Sequence, residues 1–210
     1  MNILLIGPQG SGKGTQARLL CEKFNFFYFE SGSFLRKVAQ NDDGLRKSLA
    51  EGNMVPDKEM TSYLTAFFDQ KNLYDDIIFD GFPRTLNQYE FFKKWLAGRK
   101  VRLDLVIVLE ISESETVRRL SARRIDPSTG AIYNLITDPP PEGIDQDKLI
   151  LRDDDKPEAI KKRLALYREL TEPLVAELKK ETEVIVVDGE RPIEVIASDL
   201  ENLVGERVGR

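Results

Sequence analysis

The first fifteen residues, MNILLIGPQGSGKGT, constrain the fold of this chain more than any other stretch. An apolar run over residues 3–6 is typical of a buried strand, and it stops at Gly7, where a glycine-rich turn begins. The turn leads through Lys13 to Thr15, after which apolar residues recur at helical spacing. A strand, a glycine-rich loop and a helix in this order predict a phosphate-binding loop.

The residue types of this loop suit a polyphosphate ligand. Glycines let the backbone N–H groups approach phosphate oxygens closely, and the helix start adds free N–H groups and a positive dipole end. Lys13 adds a mobile charge that can reach the β- and γ-phosphates, and Thr15 offers a hydroxyl on the metal side. Gly14, and not Ser or Thr, follows Lys13, so the hydroxyl arrives one residue later than in the general pattern. The expected loop residues are Gly10, Ser11, Gly12, Lys13, Gly14 and Thr15.

A second buried-strand pattern, over residues 76–80, ends in a carboxylate. Asp80 closes this run and precedes Gly81, Phe82, Pro83 and Arg84. In phosphate-loop proteins an aspartate in this place faces the loop and holds Mg²⁺ directly or through water. The alternative is a simple turn residue before Gly81. With the phosphate loop upstream, we predict the metal role for Asp80.

Strand and helix patterns alternate along the chain, which indicates an α/β fold with a parallel sheet between helices. Further strand patterns cover residues 26–29, 103–111 and 184–187. Residues 125–155 interrupt this alternation, because they are rich in Pro, Gly and Asp, and they predict turns and short strands outside the main sheet. An insertion of this length indicates a lid.

Local patterns also predict helix ends. Ser31 or Ser33 is a candidate N-cap, and Ser112 with Glu115 has capping-box spacing for a helix through residue 124. On such a helix Arg119 and Arg123 share one face, which suits binding a phosphate chain or stacking on a base.

Asp155 and Glu158 predict a similar start for a later helix, which Pro173 should kink or interrupt.

Composition excludes several classes of function. The 210 residues include no histidine and a single cysteine, Cys21, so histidine base catalysis and a Cys/His zinc site are excluded and no internal disulfide can form. A formal charge of −5 argues against a broad nucleic-acid surface. The short apolar start runs directly into the phosphate loop, which predicts no signal peptide, and no apolar run is long enough to span a bilayer. We therefore expect a cytoplasmic protein.

Five motifs together resemble the adenylate kinases, a branch of the nucleoside monophosphate kinase family, over essentially the whole chain. They are GPQGSGKGTQ at the start, SGSFLR at residues 31–36, DGFPRTLNQ at 80–88, RLSARR at 119–124, and LRDDD at 151–155 followed by KKRL. The resemblance implies a three-layer phosphate-loop fold with a five-stranded parallel sheet. It also implies a single kinase domain over residues 1–210, with a core of 1–29, 56–121 and 156–210, a monophosphate-binding arm of 30–55, and a long-type lid of 122–155.

The resemblance also implies the site residues. The phosphate loop would bind ATP together with Arg119, Arg123, Ile132, Tyr133 and Arg191. The AMP side would comprise Ser31, Arg36, Asn53, Met54, Val55, Gly81, Phe82, Pro83, Arg84, Gln88, Arg152 and Arg163. The catalytic set would be Lys13, Arg84, Arg123, Arg152 and Arg163, with Asp80 organising Mg²⁺ through water.

The resemblance implies reversible transfer of a phosphoryl group from MgATP to AMP, giving two ADP, by a monomer that binds no nucleic acid or membrane. Asp126 and Asn134 stand near the positions where zinc-binding relatives carry cysteines, which implies a hydrogen-bonded lid without zinc. Two alternatives are open at this point: the same chemistry on UMP, CMP or GMP, and a catalytically silent nucleotide-binding module. Only an enzyme has reason to combine Arg36, Arg84, Arg152 and Arg163, so we favour the enzyme.

Overall fold

A five-stranded parallel sheet forms the centre of the computed structural model, which describes residues 1–208. Its strands are β1 (Asn2–Ile6), β2 (Phe27–Glu30), β3 (Ile77–Asp80), β4 (Leu105–Glu110) and β7 (Val184–Asp188), in the order β2-β3-β1-β4-β7. All neighbours are parallel, which confirms the predicted sheet. Every residue of β1 is buried because helices cover both faces, and this explains its continuous apolar sequence.

The helices pack on both faces of the sheet and give the predicted three layers. On one face Leu4 and Ile6 meet a cluster that includes Phe92, and on the other Ile3 and Leu5 pack with a second cluster. No helix within residues 1–208 is long and apolar enough to cross a membrane. The helices are α1 (Lys13–Phe24), α2 (Ser31–Val38), α3 (Asp43–Ala50), α4 (Asp57–Lys71), α5 (Leu86–Gly98), α6 (Glu113–Ala122), α7 (Pro157–Leu166), α8 (Glu172–Glu181) and α9 (Ile193–Val208).

Aromatic packing anchors the two strands that end at the site. Phe29 of β2 lies 4.9 Å, between ring centroids, from Phe68 of α4, and Phe79 of β3 lies 4.9 Å from Phe92 of α5. Burial of such rings is a large part of the stability of a core. The ends of β2 and β3 are therefore held on a rigid base, and Asp80 follows directly after this packed segment.

Residues 125–155 lie outside the main sheet, as predicted, and together with residues 122–124 they form one excursion. They contain an antiparallel pair, β5 (Arg123–Ile125) and β6 (Ile132–Asn134), and Ile125 also bridges to Ile150. The segment 30–55 forms a second excursion, made of α2, a short 3-10 helix (Ala39–Asn41) and α3. Both excursions lie beside the carboxyl end of the sheet, where their residues line cavities described below.

The predicted helix through residue 124 is too long. Helix α6 ends at Ala122, and Arg123 has extended backbone angles (φ −71°, ψ 138°) as the first residue of β5. Residues 123–125 pair with β6, and this non-local pairing takes precedence over the local helical pattern. Arg119 and Arg123 therefore do not share a helix face, and that expectation was wrong.

Two predicted caps are also wrong, because both side chains bind distant partners instead. Ser31 is the first residue of α2, and its Oγ donates to the Gly81 carbonyl at 2.7 Å. Asp155 lies in a short 3-10 helix before α7, and its carboxylate accepts hydrogen bonds from Arg123. By contrast, Ser112 caps α6 as predicted, since its Oγ accepts from the Glu115 N–H at 3.2 Å.

Pro173 interrupts the α-helical pattern, as predicted, without ending the helix. A π-helical turn, Tyr167–Thr171, joins α7 to α8, and Pro173 is the second residue of α8. Proline has no N–H to donate to the preceding turn, and the wider turn accommodates this. The hydroxyl of Thr171, at the end of this turn, donates to the Arg84 carbonyl at 3.0 Å. The π turn thus connects the helix to the backbone of a predicted site arginine.

Candidate active site

The phosphate loop lies at the carboxyl end of β1, the edge at which ligands bind in open parallel sheets. Gly12 precedes α1 with a positive φ of 92°, a conformation that favours glycine. Lys13 Nζ donates to the carbonyls of Gly7 at 2.8 Å and Pro8 at 2.9 Å. Burial lowers the pKa of Lys13 to about 8. The ammonium group is thus held over its own loop, where it is shielded from water. Because it is poorly hydrated there, its charge favours an anionic ligand.

Asp80 lies beside this loop at the end of β3. Its side chain is almost inaccessible, with a residue exposure of 7%, and its Oδ2 accepts from the Tyr28 hydroxyl at 2.9 Å. Burial raises the pKa of Asp80, and the charge of Lys13 opposes this rise. Asp80 and Thr15 line the same cavity. Oxygen ligands of this kind fit Mg²⁺, which keeps several waters and takes few protein ligands.

The Gly81 carbonyl fixes two predicted AMP-side residues. It accepts from Ser31 Oγ at 2.7 Å and from Arg84 Nε at 2.7 Å. Gly81 has a positive φ of 78°, and a Cβ there would lie 2.5 Å from Ser31 Oγ, so only glycine fits. Burial also lowers the pKa of Arg84. Arg84 is therefore a desolvated cation in a fixed orientation.

Two neighbouring carboxylates hold three arginines at the root of the 122–155 excursion. The fully buried side chain of Asp155 accepts from Arg123 Nε at 2.7 Å and Nη2 at 2.5 Å. Asp154 accepts from Arg152 Nε at 2.8 Å and Nη2 at 2.7 Å. Arg163 Nη1 lies 3.2 Å from Asp154 and 3.4 Å from Asp155. Burial opposes ionisation of Asp154, but Arg152 and Arg163 outweigh it and hold the pKa of Asp154 at about 2.

A cavity of about 480 Å³ opens over the phosphate loop and reaches the 122–155 excursion and the start of α9. Two arginines that line this cavity are held by carboxylates: Glu115 accepts from Arg119 Nε at 2.6 Å, and Asp199 accepts from Arg191 Nη1 at 2.8 Å. Every residue predicted for ATP lines this cavity: Gly10, Ser11, Gly12, Lys13, Gly14, Thr15, Arg119, Arg123, Ile132, Tyr133 and Arg191.

A second cavity, of about 360 Å³, lies between the 30–55 excursion and the segment after β3. Both volumes are within the usual range for small-molecule sites. Of the predicted AMP-side residues, Phe82 does not line it, because its ring packs in the core 5.7 Å from Phe92, and Pro83 lines a smaller adjoining cavity. The others do line it: Ser31, Arg36, Asn53, Met54, Val55, Gly81, Arg84, Gln88, Arg152 and Arg163.

The two cavities meet at a set of shared residues. Gly32 and four arginines line both: Arg36, Arg84, Arg152 and Arg163. A concentration of guanidinium groups between two pockets suits a polyanion that passes from one pocket to the other, because guanidinium pairs well with phosphate oxygens. We call these four residues the arginine junction.

Some residues of the site were not predicted from the sequence. Leu35, Ala39, Leu49 and Met60 form an apolar wall of the second cavity. Leu35 and Ala39 are four apart after Ser31, a helical spacing that could have indicated a shared face. Asp154 and Asp155 stand in the motif LRDDD, two and three residues after Arg152. The local pattern predicted a helix cap for Asp155, and it did not indicate that these carboxylates bind the site arginines.

Comparison with known proteins agrees with this geometry. The family model described as adenylate kinase matches residues 5–183. The chain belongs to the adenylate kinase family. Curated adenylate kinases of Petrotoga mobilis and Salinibacter ruber are 34% and 36% identical to it, and the alignments cover 97% and 96% of both chains. An adenylate kinase of Chloroherpeton thalassium is 36% identical, over 97% of this chain and 98% of the relative.

Family membership confirms the predicted enzyme class and reaction. Adenylate kinases are phosphotransferases that move a phosphoryl group between ATP and AMP, so the chain acts on adenine nucleotides. The alternatives of another monophosphate acceptor and of a silent binding module are not favoured. The arginine junction is consistent with this adenylate kinase assignment, since phosphoryl transfer depends on positioning and on stabilising negative charge.

Proposed function

We propose that the γ-phosphoryl group of ATP passes to AMP at the arginine junction. ATP would bind in the 480 Å³ cavity, which we call the donor cavity, and AMP in the 360 Å³ cavity, the acceptor cavity. The observation that carries this proposal is that, among residues 1–208, the two cavities share four arginines and no other charged residues. Each nucleotide then lies with its phosphates toward the other. The reacting groups are brought together by binding alone, which supplies much of the catalysis in reactions of this kind.

On the donor side, the phosphate-loop N–H groups and Lys13 would hold the phosphates of ATP. Lys13 would exchange one of its contacts with the loop carbonyls for a phosphate oxygen. Arg119 and Arg123 would flank the nucleotide, and Tyr133 and Arg191 would lie at its adenine end, since all four line the donor cavity. Their ion pairs to Glu115, Asp155 and Asp199 orient three of these side chains before binding.

On the acceptor side, Arg36 and Arg84 would bind the phosphate of AMP, and Gln88 would contact its base. Arg84 is already oriented by the Gly81 carbonyl. Arg36 is paired with Glu30 at 3.2 Å, and burial lowers its pKa, so a phosphate would be a strong competing partner. Met54 and Val55 form part of the wall of the acceptor cavity, where they would contact the nucleotide.

The chemistry needs no side-chain nucleophile, because the attacking group is a phosphate oxygen of AMP. Arg152 and Arg163 would stabilise the negative charge that spreads over the transferring phosphoryl oxygens. Bound Mg²⁺ supplies further neutralisation of the phosphate charge, and the Asp80 carboxylate, with the Thr15 hydroxyl, would hold it through water. The Tyr28 hydroxyl restricts the orientation of the Asp80 carboxylate by donating to its Oδ2.

The division into parts follows the cavities. We propose a core of residues 1–29, 56–121 and 156–210, an arm of 30–55 over AMP, and a lid of 122–155 that closes over ATP. In the lid, Asp126 accepts from Ser128 N at 2.8 Å and from Thr129 Oγ1 at 2.8 Å, and these hydrogen bonds support a fold without zinc. The proposal includes a cytoplasmic monomer that binds neither nucleic acid nor membranes, and the charge of −5 argues against a broad nucleic-acid surface.

A coupled assay with MgATP and each nucleoside monophosphate in turn tests the proposed acceptor. We expect the highest kcat/KM with AMP, because the Gln88 amide can hydrogen-bond an adenine edge and because a mismatched base leaves buried polar groups unpaired. GMP, UMP and CMP at the same concentrations are the matched comparisons. A higher kcat/KM with UMP or CMP would overturn the assignment of the acceptor cavity to AMP.

A further inference from the structure

The Gln88 side chain is held at both ends of its amide. It is 2% exposed, on α5 at the wall of the acceptor cavity. Its Nε2 donates to Asp57 Oδ1 at 2.8 Å, and its Oε1 accepts from the Arg84 backbone N–H at 2.8 Å. A carboxylate oxygen can only accept and a backbone N–H can only donate, so these partners determine which end of the amide is oxygen and which is nitrogen.

Asp57 is itself fixed by a third residue. Its other oxygen, Oδ2, accepts from the Thr85 hydroxyl at 3.1 Å. The same hydroxyl accepts from the Gln88 backbone N–H at 3.0 Å, as the N-cap of α5. Asp57, Thr85 and Gln88 therefore form a closed ring of hydrogen bonds between the first turn of α4 and the first turn of α5.

These contacts leave one N–H and one oxygen lone pair of the Gln88 amide for a ligand. Adenine offers an amino donor beside a ring-nitrogen acceptor, which is complementary to that pair. A 6-oxopurine such as hypoxanthine offers the opposite order, an oxygen acceptor beside an N–H donor. The amide could match it only by rotating half a turn, which would set its oxygen against the Asp57 carboxylate and its NH₂ against the Arg84 N–H.

We propose that Asp57 is a positioning residue that makes the acceptor site select a 6-aminopurine over a 6-oxopurine, by preventing this rotation of Gln88. The inference rests on the proposed contact of Gln88 with the acceptor base. Asp57 does not itself line the cavity among the residues that the structure describes, so it acts through Gln88. Its effect is on the ratio of kcat/KM for AMP to kcat/KM for IMP, two substrates that differ at purine position 6.

The test is Asp57→Asn, which keeps the shape of the side chain but can present either a donor or an acceptor to Gln88. We expect the ratio of kcat/KM for AMP to kcat/KM for IMP to fall by roughly tenfold, while KM for ATP stays near that of the wild type. A merely structural role of Asp57 would lower both values of kcat/KM alike and leave their ratio unchanged, and that result would overturn the proposal.

The matched control is Asp42→Asn, the same change at the exposed N-cap of α3, where Asp42 accepts from Leu45 N. This variant should keep the wild-type ratio. Asp57→Ser, whose hydroxyl can also donate or accept, is the second variant if Asp57→Asn does not fold, and it should lower the ratio in the same direction.

A further variant separates failure of this inference from failure of the proposed site. Gln88→Met removes the amide at similar volume and should abolish most of the preference for AMP over IMP. If Gln88→Met keeps the full preference, Gln88 does not read the base and the proposed acceptor contact is wrong. If Gln88→Met loses the preference but both Asp57 variants keep it, the contact stands and only the positioning role of Asp57 fails.

Discussion

Replacing Arg84 by alanine should reduce kcat/KM for AMP by about a thousandfold or more. The Arg84 guanidinium is desolvated, fixed by the Gly81 carbonyl, and shared by both cavities. A charge-assisted contact to a buried phosphate contributes about 1.5–3 kcal/mol or more, and an arginine on a transferring phosphoryl group can contribute a rate factor of about 10³–10⁵. Lys13→Ala should cause a loss of similar order, in kcat/KM for ATP. The coupled assay measures both.

The control for this prediction is Arg102→Ala. Arg102 is a highly exposed arginine whose side chain pairs with Asp104 at 2.7 Å, away from either cavity. Its removal should leave turnover unchanged, and circular dichroism should show that all three variants fold. Turnover near the wild-type value in folded Arg84→Ala and Lys13→Ala would show that the assigned site is not where the reaction occurs.

Replacing Asp155 by alanine should lower the free energy of unfolding by about 3–5 kcal/mol. The side chain is fully buried and pairs with Arg123 and Arg163, so its loss leaves the Arg123 guanidinium without the carboxylate that it contacts and removes one of the two carboxylates beside Arg163. Urea unfolding followed by circular dichroism measures the change. Activity should fall as well, because Arg123 loses the partner that orients it.

The adjacent Asp153 provides a matched control for this prediction. Asp153 is exposed and pairs only with Lys156, at 2.8 Å and at the surface, among the residues that the structure describes. Surface ion pairs contribute little, so Asp153→Ala should unfold close to the wild-type midpoint. Equal and small effects of the two substitutions would contradict the assigned importance of the buried pair.

The sequence predicted those features that depend on neighbouring residues. Lys13, with the glycines around it, and Asp80, at the end of an apolar run, were identified because a strand pattern and a loop pattern are local. The five parallel strands followed from similar runs, since strands buried on both faces need continuous apolar residues. The four arginines of the junction came from the resemblance of five motifs to a family, and the structure brings these residues together.

The features that the sequence did not predict depend on partners far along the chain. Arg123 leaves the helix because residues 123–125 pair with β6 and Ile125 also bridges to Ile150. Ser31 and Asp155 had capping patterns, but their side chains bind distant partners. Ser31 donates to the carbonyl of Gly81, 50 residues away, and Asp155 accepts from Arg123, 32 residues away. The bond from Gln88 to Asp57 spans 31 residues, and nothing in either local pattern indicated it.

The most direct test of the central claim, that the two cavities form one continuous site at the arginine junction, is calorimetric titration with an analogue that joins two adenosines through five phosphates. We expect one molecule to bind per chain, to compete with both ATP and AMP, and to bind much more weakly to the Arg84→Ala variant. Two molecules bound per chain, or competition with ATP alone, would contradict a continuous site, because the cavities would then bind their ligands independently.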